Sequence, residues 1–203
     1  MKKIAVLLAL ALALPLAAFA SSGVDFSNDG GTLTGTTSGL SLAGSTLIAV
    51  DGFNGGGLIT GSNLGSVTFS TGSLATGSLQ MGGTFNPGGT FTITGNGSDG
   101  LPNGVLFSGT FTSATWTVVT LANGTHNYTL TGVLVGSLGG SSAVSNGVTV
   151  QLTINTGKGF FNGSTQISSG DTNVVVPEPG SLSLLGTGLL GLAGMIRRKM
   201  KTS

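Results

Sequence analysis

From about residue 64 onward the chain repeatedly alternates apolar and polar positions. Val67 and Phe69 alternate with Ser66, Thr68 and Ser70, and Phe91 and Ile93 with Thr90, Thr92 and Thr94. Val105, Phe107 and Phe111 share one parity, as do Trp116 and Val118, and as do Tyr128, Leu130 and Leu134. Val148, Val150, Leu152 and Ile154 alternate with Thr149, Gln151, Thr153 and Asn155. A period of two, built from β-branched and aromatic residues, is the signature of a strand with one buried face. Threonine on the other face is a good strand former that offers a polar, uncharged surface.

Gly-rich breaks punctuate these runs: residues 54–57, 86–89, Asp99-Gly100, Asn123-Gly124, Gly139-Gly140 and Asn146-Gly147. Asn-Gly and Asp-Gly supply the positive φ that tight hairpin turns need. Residues 117–131 therefore predict a hairpin turning at Asn123-Gly124. No part of the body has helical periodicity. The spacing predicts an all-β fold, an antiparallel β-sandwich or barrel-like body. A β-solenoid is the rival, but no motif recurs at a fixed period. Residues 27–62 and 136–146 are the least patterned and are expected to be loops or mobile segments.

The two ends follow different rules. Met1-Lys2-Lys3 is a positive start, residues 4–14 are an unbroken apolar run, Pro15 ends it, and Ala18-Phe19-Ala20 is a small-x-small cleavage site. Residues 1–20 are thus a signal peptide, cut between Ala20 and Ser21. At the other end residues 180–196 carry no charge and are followed by Arg197, Arg198, Lys199 and Lys201. As a helix this run measures about 25 Å, a little short of a ~30 Å hydrocarbon core but enough for a single span if the bilayer thins. The basic cluster keeps residues 197–203 in the cytoplasm. Just before the span stands Pro177-Glu178-Pro179, whose two rings hold the chain extended. The organisation expected is a signal peptide at 1–20, a β-rich exported domain at 21–167, an extended linker at 168–176, and a tail at 177–203 with a transmembrane helix at 179–196.

Val176-Pro177-Glu178-Pro179, a short Gly/Leu-rich span and an Arg-rich end resemble the PEP-CTERM protein-sorting signal, with all three parts in register over residues 176–203. The resemblance implies recognition by an exosortase, a membrane-embedded cysteine transpeptidase-like enzyme. It implies an inner-membrane precursor whose tail is removed, and delivery to the cell surface or the exopolysaccharide matrix. The apolar tail would then be a temporary handle, as in a GPI signal.

Charge and composition narrow the function. The cations at residues 2, 3, 197–199 and 201 all lie in the two end segments, leaving the body with Lys158 against Asp25, Asp29, Asp51, Asp99 and Asp171. Such a body offers no basic patch for phosphates, so nucleic acid is excluded as a partner. There is no cysteine, hence no disulfide and no thiol chemistry. The single histidine, His126, is expected to be a solvated residue near a hairpin tip, because no motif supplies a nucleophile for it to activate. Asp25, Ser27, Asp29 and Gly30 resemble the start of a calcium loop, but Thr36 stands where the bidentate acid belongs. The simpler reading of that stretch is an Asx-rich turn after a short first strand. No catalytic residue, cofactor or metal is expected. The function expected is that of an exported, non-enzymatic surface or biofilm-matrix protein. The alternative is a carbohydrate-binding or adhesin module kept as a single-pass membrane protein, with extracellular polysaccharide as partner. For such a module Trp116, Tyr128, Phe160 and Phe161 are the candidate aromatics, and core packing is their competing role.

Overall fold

The structure is a computed structural model, and it describes residues 23–139 and 144–175. Twelve strands follow one another: β1 (Gly23–Asp29), β2 (Thr32–Thr36), β3 (Gly39–Asp51), β4 (Ile59–Thr71), β5 (Leu74–Ser78), β6 (Gly82–Phe85), β7 (Gly88–Asn96), β8 (Asn103–Thr120), β9 (His126–Leu138), β10 (Ser145–Asn155), β11 (Ser164–Gln166) and β12 (Ser169–Val175). One 3₁₀ turn, Phe53–Gly55, lies between β3 and β4.

Eight of the strands form a ring. Antiparallel pairing runs β1, β3, β4, β7, β8, β9, β10 and β12, and β12 pairs back onto β1. This is an eight-stranded antiparallel barrel of up-and-down connectivity. The four short strands extend the long ones past kinks. β2 continues β1 beyond Gly30-Gly31 and pairs with the other half of β3, and β11 precedes β12 and pairs with β2. β5 and β6 extend β4 and β7 past Gly72-Ser73 and Asn86-Pro87, and β6 lies along the far half of β8. Of the two architectures the alternation allowed, the barrel is the one adopted, and the hairpin at Asn123-Gly124 forms as expected, with Thr120 opposite His126.

Four sequence expectations are corrected. Residues 27–62 are mostly strand, because bulges after Leu42 and after Leu47 in β3 break the period of two while Leu40, Leu42, Leu47 and Val50 all still face inward. The linker expected at 168–176 is, from Ser169 to Val175, the closing strand β12. Its inward positions are Gly170, Thr172 and Val174, so little apolar alternation is visible in its sequence. The Asn146-Gly147 break is a bulge inside β10 rather than a turn. Val105, placed with Phe107 on one face, is instead exposed, because a bulge opposite Ile93 and Thr94 turns both Leu106 and Phe107 inward.

An eight-stranded ring is just wide enough for side chains to fill it, and this one is filled from end to end. Phe69, Phe91, Phe107 and Phe111 meet at its middle, with ring centroids 5.7–6.1 Å apart. Trp116, Tyr128 and Phe161 pack at one end, and Phe26 and Phe53 toward the other. Four phenylalanines fit only because glycines face them. A Cβ on Gly132 would lie 2.4 Å from the Phe111 ring, and one on Gly136 would lie 2.6 Å from the Phe107 ring. The outward positions are mainly threonine, serine and glycine, as at Thr110, Thr112, Thr115 and Thr117 of β8, all exposed. Apolar inside and polar outside is the reverse of a barrel that faces lipid. Among the described residues no helix is long and apolar enough to cross a membrane, and the predicted span at 179–196 lies outside them.

The ring-against-glycine fit yields a test. Gly132→Ala should cost about 1–3 kcal/mol by overpacking. Adding Phe111→Leu should recover part of that loss, because the smaller side chain makes room for the new methyl. Urea denaturation of the single and double variants measures both effects.

Candidate functional site

The seam between β1 and β12 closes the ring. Its rungs run from Gly23 opposite Val175 to Asn28 opposite Gly170, and β12 is held on its other edge by β10 from Thr149 to Thr153. Inside the barrel the seam carries Val24 and Val174, Phe26 and Thr172, and Asn28 and Gly170. Val174 and Thr172 are fully buried. Asn28 is buried as well. Its Nδ2 donates to Ser45 Oγ at 2.7 Å, and the hydroxyl of Ser45 donates to the Asp29 carbonyl at 3.2 Å. Gly170 is what admits it, since a Cβ there would lie 2.5 Å from Asn28 Oδ1. The inner face of this seam is therefore more polar than the one between β9 and β10, on the far side of β10, where Leu134 and Val148, Leu130 and Leu152, and Tyr128 and Ile154 oppose each other.

Outside, the seam is acidic. Asp25 on β1 lies opposite Asp51 on β3, with Asp171 of β12 one diagonal step away. Ser27 Oγ donates to Asp171 Oδ1 at 3.2 Å, while Asp25 Oδ1 is buried without a partner. Partial burial, then the carboxylates of Asp171 and Asp51, push the Asp25 carboxyl above the usual carboxylate range. A polar trough of about 500 Å³ runs along the wall beside it, lined among others by Ser27, Asp29, Gln151, Thr153 and Asp171. In the sequence Asp25 stands close only to Asp29, in the calcium-loop-like stretch. Asp51 and Asp171 join Asp25 through strand register, for which no local spacing gives a signal. β1 is extended through Asp25, Ser27 and Asp29, so these side chains stand in a row on the wall instead of wrapping an ion as a calcium loop does. Among the described residues no set of three or more His, Asp or Glu side chains is placed to hold a metal ion.

The end of the barrel away from Gly23 and Val175 is capped by residues 156–163. Phe161 enters the lumen, edge-on to Trp116 and tilted to Tyr128, which stack on each other, and it is 1% exposed. Its N–H donates to Tyr128 Oη at 3.1 Å, the Tyr128 hydroxyl donates to the Gln80 carbonyl at 2.8 Å, and Trp116 Nε1 donates to the Leu79 carbonyl at 2.8 Å. Of the four aromatics considered for a binding platform, three are thus core. Phe160 alone remains outside, 48% exposed, with its ring stacked 4.2 Å from that of His126. His126 is not the solvated residue expected. It is buried on the inner face of β9, under Phe160, with Nδ1 2.8 Å from Thr120 Oγ1.

The expected sorting and processing residues, Val176, Pro177, Glu178 and Pro179, then Arg197, Arg198, Lys199 and Lys201, and Ala18, Ala20 and Ser21, all lie outside the described residues. What the structure places is the barrel seam from which they continue: β1 begins at Gly23, β12 ends at Val175, and these two residues are paired. A β-barrel whose last strand leads directly into a Pro-Glu-Pro, apolar and basic tail defines a class, that of precursors sorted by their C-terminal tail. The family model of the PEP-CTERM protein-sorting motif matches residues 175–199, and the chain carries that motif. The motif implies export, membrane-associated sorting and processing by an exosortase. No curated protein and no solved structure matches the chain.

A pH dependence follows from the seam. The folded-state pKa of Asp25 is raised, so its proton is held more tightly in the barrel than in the unfolded chain. Its contribution is stabilising below the ordinary value of 3.8 and is lost as pH rises through the raised value. Asp25→Asn should therefore melt at a higher temperature than wild type near neutral pH. The gap should close as pH falls toward that ordinary value, and thermal melts across the range measure it.

Proposed function

We propose that this is an exported, non-enzymatic barrel that serves as a structural or adhesive component of the cell surface or of the extracellular polysaccharide matrix, after an exosortase has acted on its tail. The observation that carries the reading is the outer wall. It presents threonine and serine hydroxyls in cross-strand pairs, such as Ser66 with Thr94 and Thr76 with Thr84, each 2.7 Å apart, around a lumen occupied by its own side chains. Such a wall suits hydrogen bonding to hydroxyl-rich polymers, and a filled lumen suits a scaffold. Replacing Pro177, Glu178 and Pro179 together by Ala removes both φ constraints and the charge but leaves the apolar run and the cations. Fractionation of the native host should then find full-length precursor in the inner membrane, whereas replacing Arg197, Arg198, Lys199 and Lys201 should let unprocessed chain escape. If the triple-Ala chain is processed and reaches the surface like wild type, Pro177-Glu178-Pro179 is only a linker and is not what the processing enzyme reads.

Phe160 supports a second reading, a carbohydrate-binding module. Its ring is fixed from behind by His126 and open in front. On that reading Phe160→Ala should abolish retention on the host's exopolysaccharide while costing only the roughly 0.5–1.5 kcal/mol of a lost ring stack, which leaves the barrel folded. Unchanged retention would leave the scaffold reading alone.

A further inference from the structure

We propose that the polar trough on the wall formed by β10, β12 and β1 is a glycan-binding subsite, and that its ligand is a neutral, hydroxyl-rich sugar unit of a longer chain laid across the strands. The inference deepens the adhesive form of the reading above and rests on it. Three observations lead to it.

The first is the chemistry of the lining. The trough holds about 500 Å³, a volume typical of small-molecule sites. Ser27, Asp29, Gln151, Thr153 and Asp171 bring hydroxyl, amide and carboxylate groups to it, and Ile48 is the one large apolar side chain among its lining residues. A pyranose ring is divided in the same way, with hydroxyls around its rim and an apolar C–H face. Each sugar hydroxyl both donates and accepts a hydrogen bond. The Gln151 amide and the Ser27 and Thr153 hydroxyls can answer in either sense, and a carboxylate accepts the stronger, charge-assisted bond.

The second is the sign of the charge. Asp29 and Asp171 belong to the lining, and neither lysine nor arginine does. A uronate or phosphate group seated there would face two carboxylates with no cation beside it, and like charges at such range repel. An apolar ligand would strip water from these polar groups and return no hydrogen bond. A neutral sugar meets neither cost.

The third is register. Thr115 of β8 opposes Thr131 of β9, Thr131 opposes Gln151 of β10, Gln151 opposes Asp171 of β12, and Asp171 opposes Ser27 of β1. Thr115, Thr131, Gln151 and Asp171 are all exposed. Neighbouring strands lie about 4.8 Å apart, which is close to the advance of one sugar unit in an extended glycan. A chain anchored in the trough therefore meets one polar side chain per unit as it crosses toward β8.

The test uses the protein as its native host exports it. The probes are the neutral and acidic pools of that host's exopolysaccharide, separated by anion exchange. Electrophoresis through gels containing each pool reports binding as lost mobility, referred to the same protein in a plain gel. Wild type should be slowed by the neutral pool and not by the acidic one. Raising the salt should change this little, because salt screens ion pairs far more than hydrogen bonds to a neutral ligand. Asp171→Ala and Gln151→Ala, both at exposed positions, should stay folded in thermal melts and should each weaken binding to the neutral pool about tenfold, the loss of one strong hydrogen bond. Thr110→Ala, exposed on β8 and outside the row, should bind like wild type. Undiminished binding by both trough variants overturns the site and leaves the adhesive reading standing, and a loss confined to Phe160→Ala overturns it in favour of the Phe160 platform. Binding to the acidic pool overturns the assignment of a neutral ligand. A wild-type protein slowed by neither pool removes the adhesive reading and this site with it.

Discussion

Everything in this barrel depends on fitting large rings into a narrow ring of strands. Eight strands enclose a space that side chains can fill without a cavity, and its largest occupants are phenylalanines, one tryptophan and one tyrosine, set among leucine, valine and isoleucine. The fit is achieved by subtraction. Glycines at 132 and 136 give up their side chains so that Phe111 and Phe107 can lie flat against the backbone. The abundance of glycine that makes this sequence look loose is, at those positions, what makes the interior dense. Without disulfides, dense packing of about 150 residues is the main source of stability available to the exported chain.

How much of this was legible depended on bulges. The alternating runs at 67–69, 91–93, 128–134 and 148–154 all turned out to be inner faces, because a strand paired in register preserves its period of two. Where a bulge intervenes, the period slips and the pattern becomes unreadable. β3 has two bulges, so Leu40, Leu42, Leu47 and Val50 face the core at spacings that resemble neither strand nor helix. β8 has one on either side of Phe111, which is why Val105 was assigned to the wrong face. β12 failed for another reason. Its inner face is Gly170, Thr172 and Val174, and a strand with one apolar inner residue looks like a linker. The acidic cluster was invisible because register, not spacing, assembles it. His126 was misplaced because its neighbour Phe160 comes from a different connection and covers it. The tail was the most legible stretch, since its three parts are contiguous and owe nothing to folding.

The two faces of the wall divide the labour. Hydroxyl and amide groups outside need no counter-ion and tolerate one another in cross-strand pairs, so the surface is polar almost without charge. Where charge does collect, at Asp25, Asp51 and Asp171, it collects on the strands that close the ring. The polar-lined seam between β1 and β12 and the last described residue before the tail, Val175, are therefore one place.

The strand count carries a consequence of its own. In a meander each strand reverses direction, so a ring with an even number of strands must begin and finish at the same end, whereas an odd number would put start and finish at opposite ends. Eight is even, and Gly23 and Val175 accordingly sit side by side as one rung. The sequence continues beyond each of these residues, and the sorting motif lies on the Val175 side. Parity alone puts the start of β1 and the finish of β12 at one end of the barrel, with the connections at residues 121–125 and 156–163 at the opposite end. Adding or deleting one strand would separate the two exits by the length of the barrel, whatever the sequence of the segments beyond them.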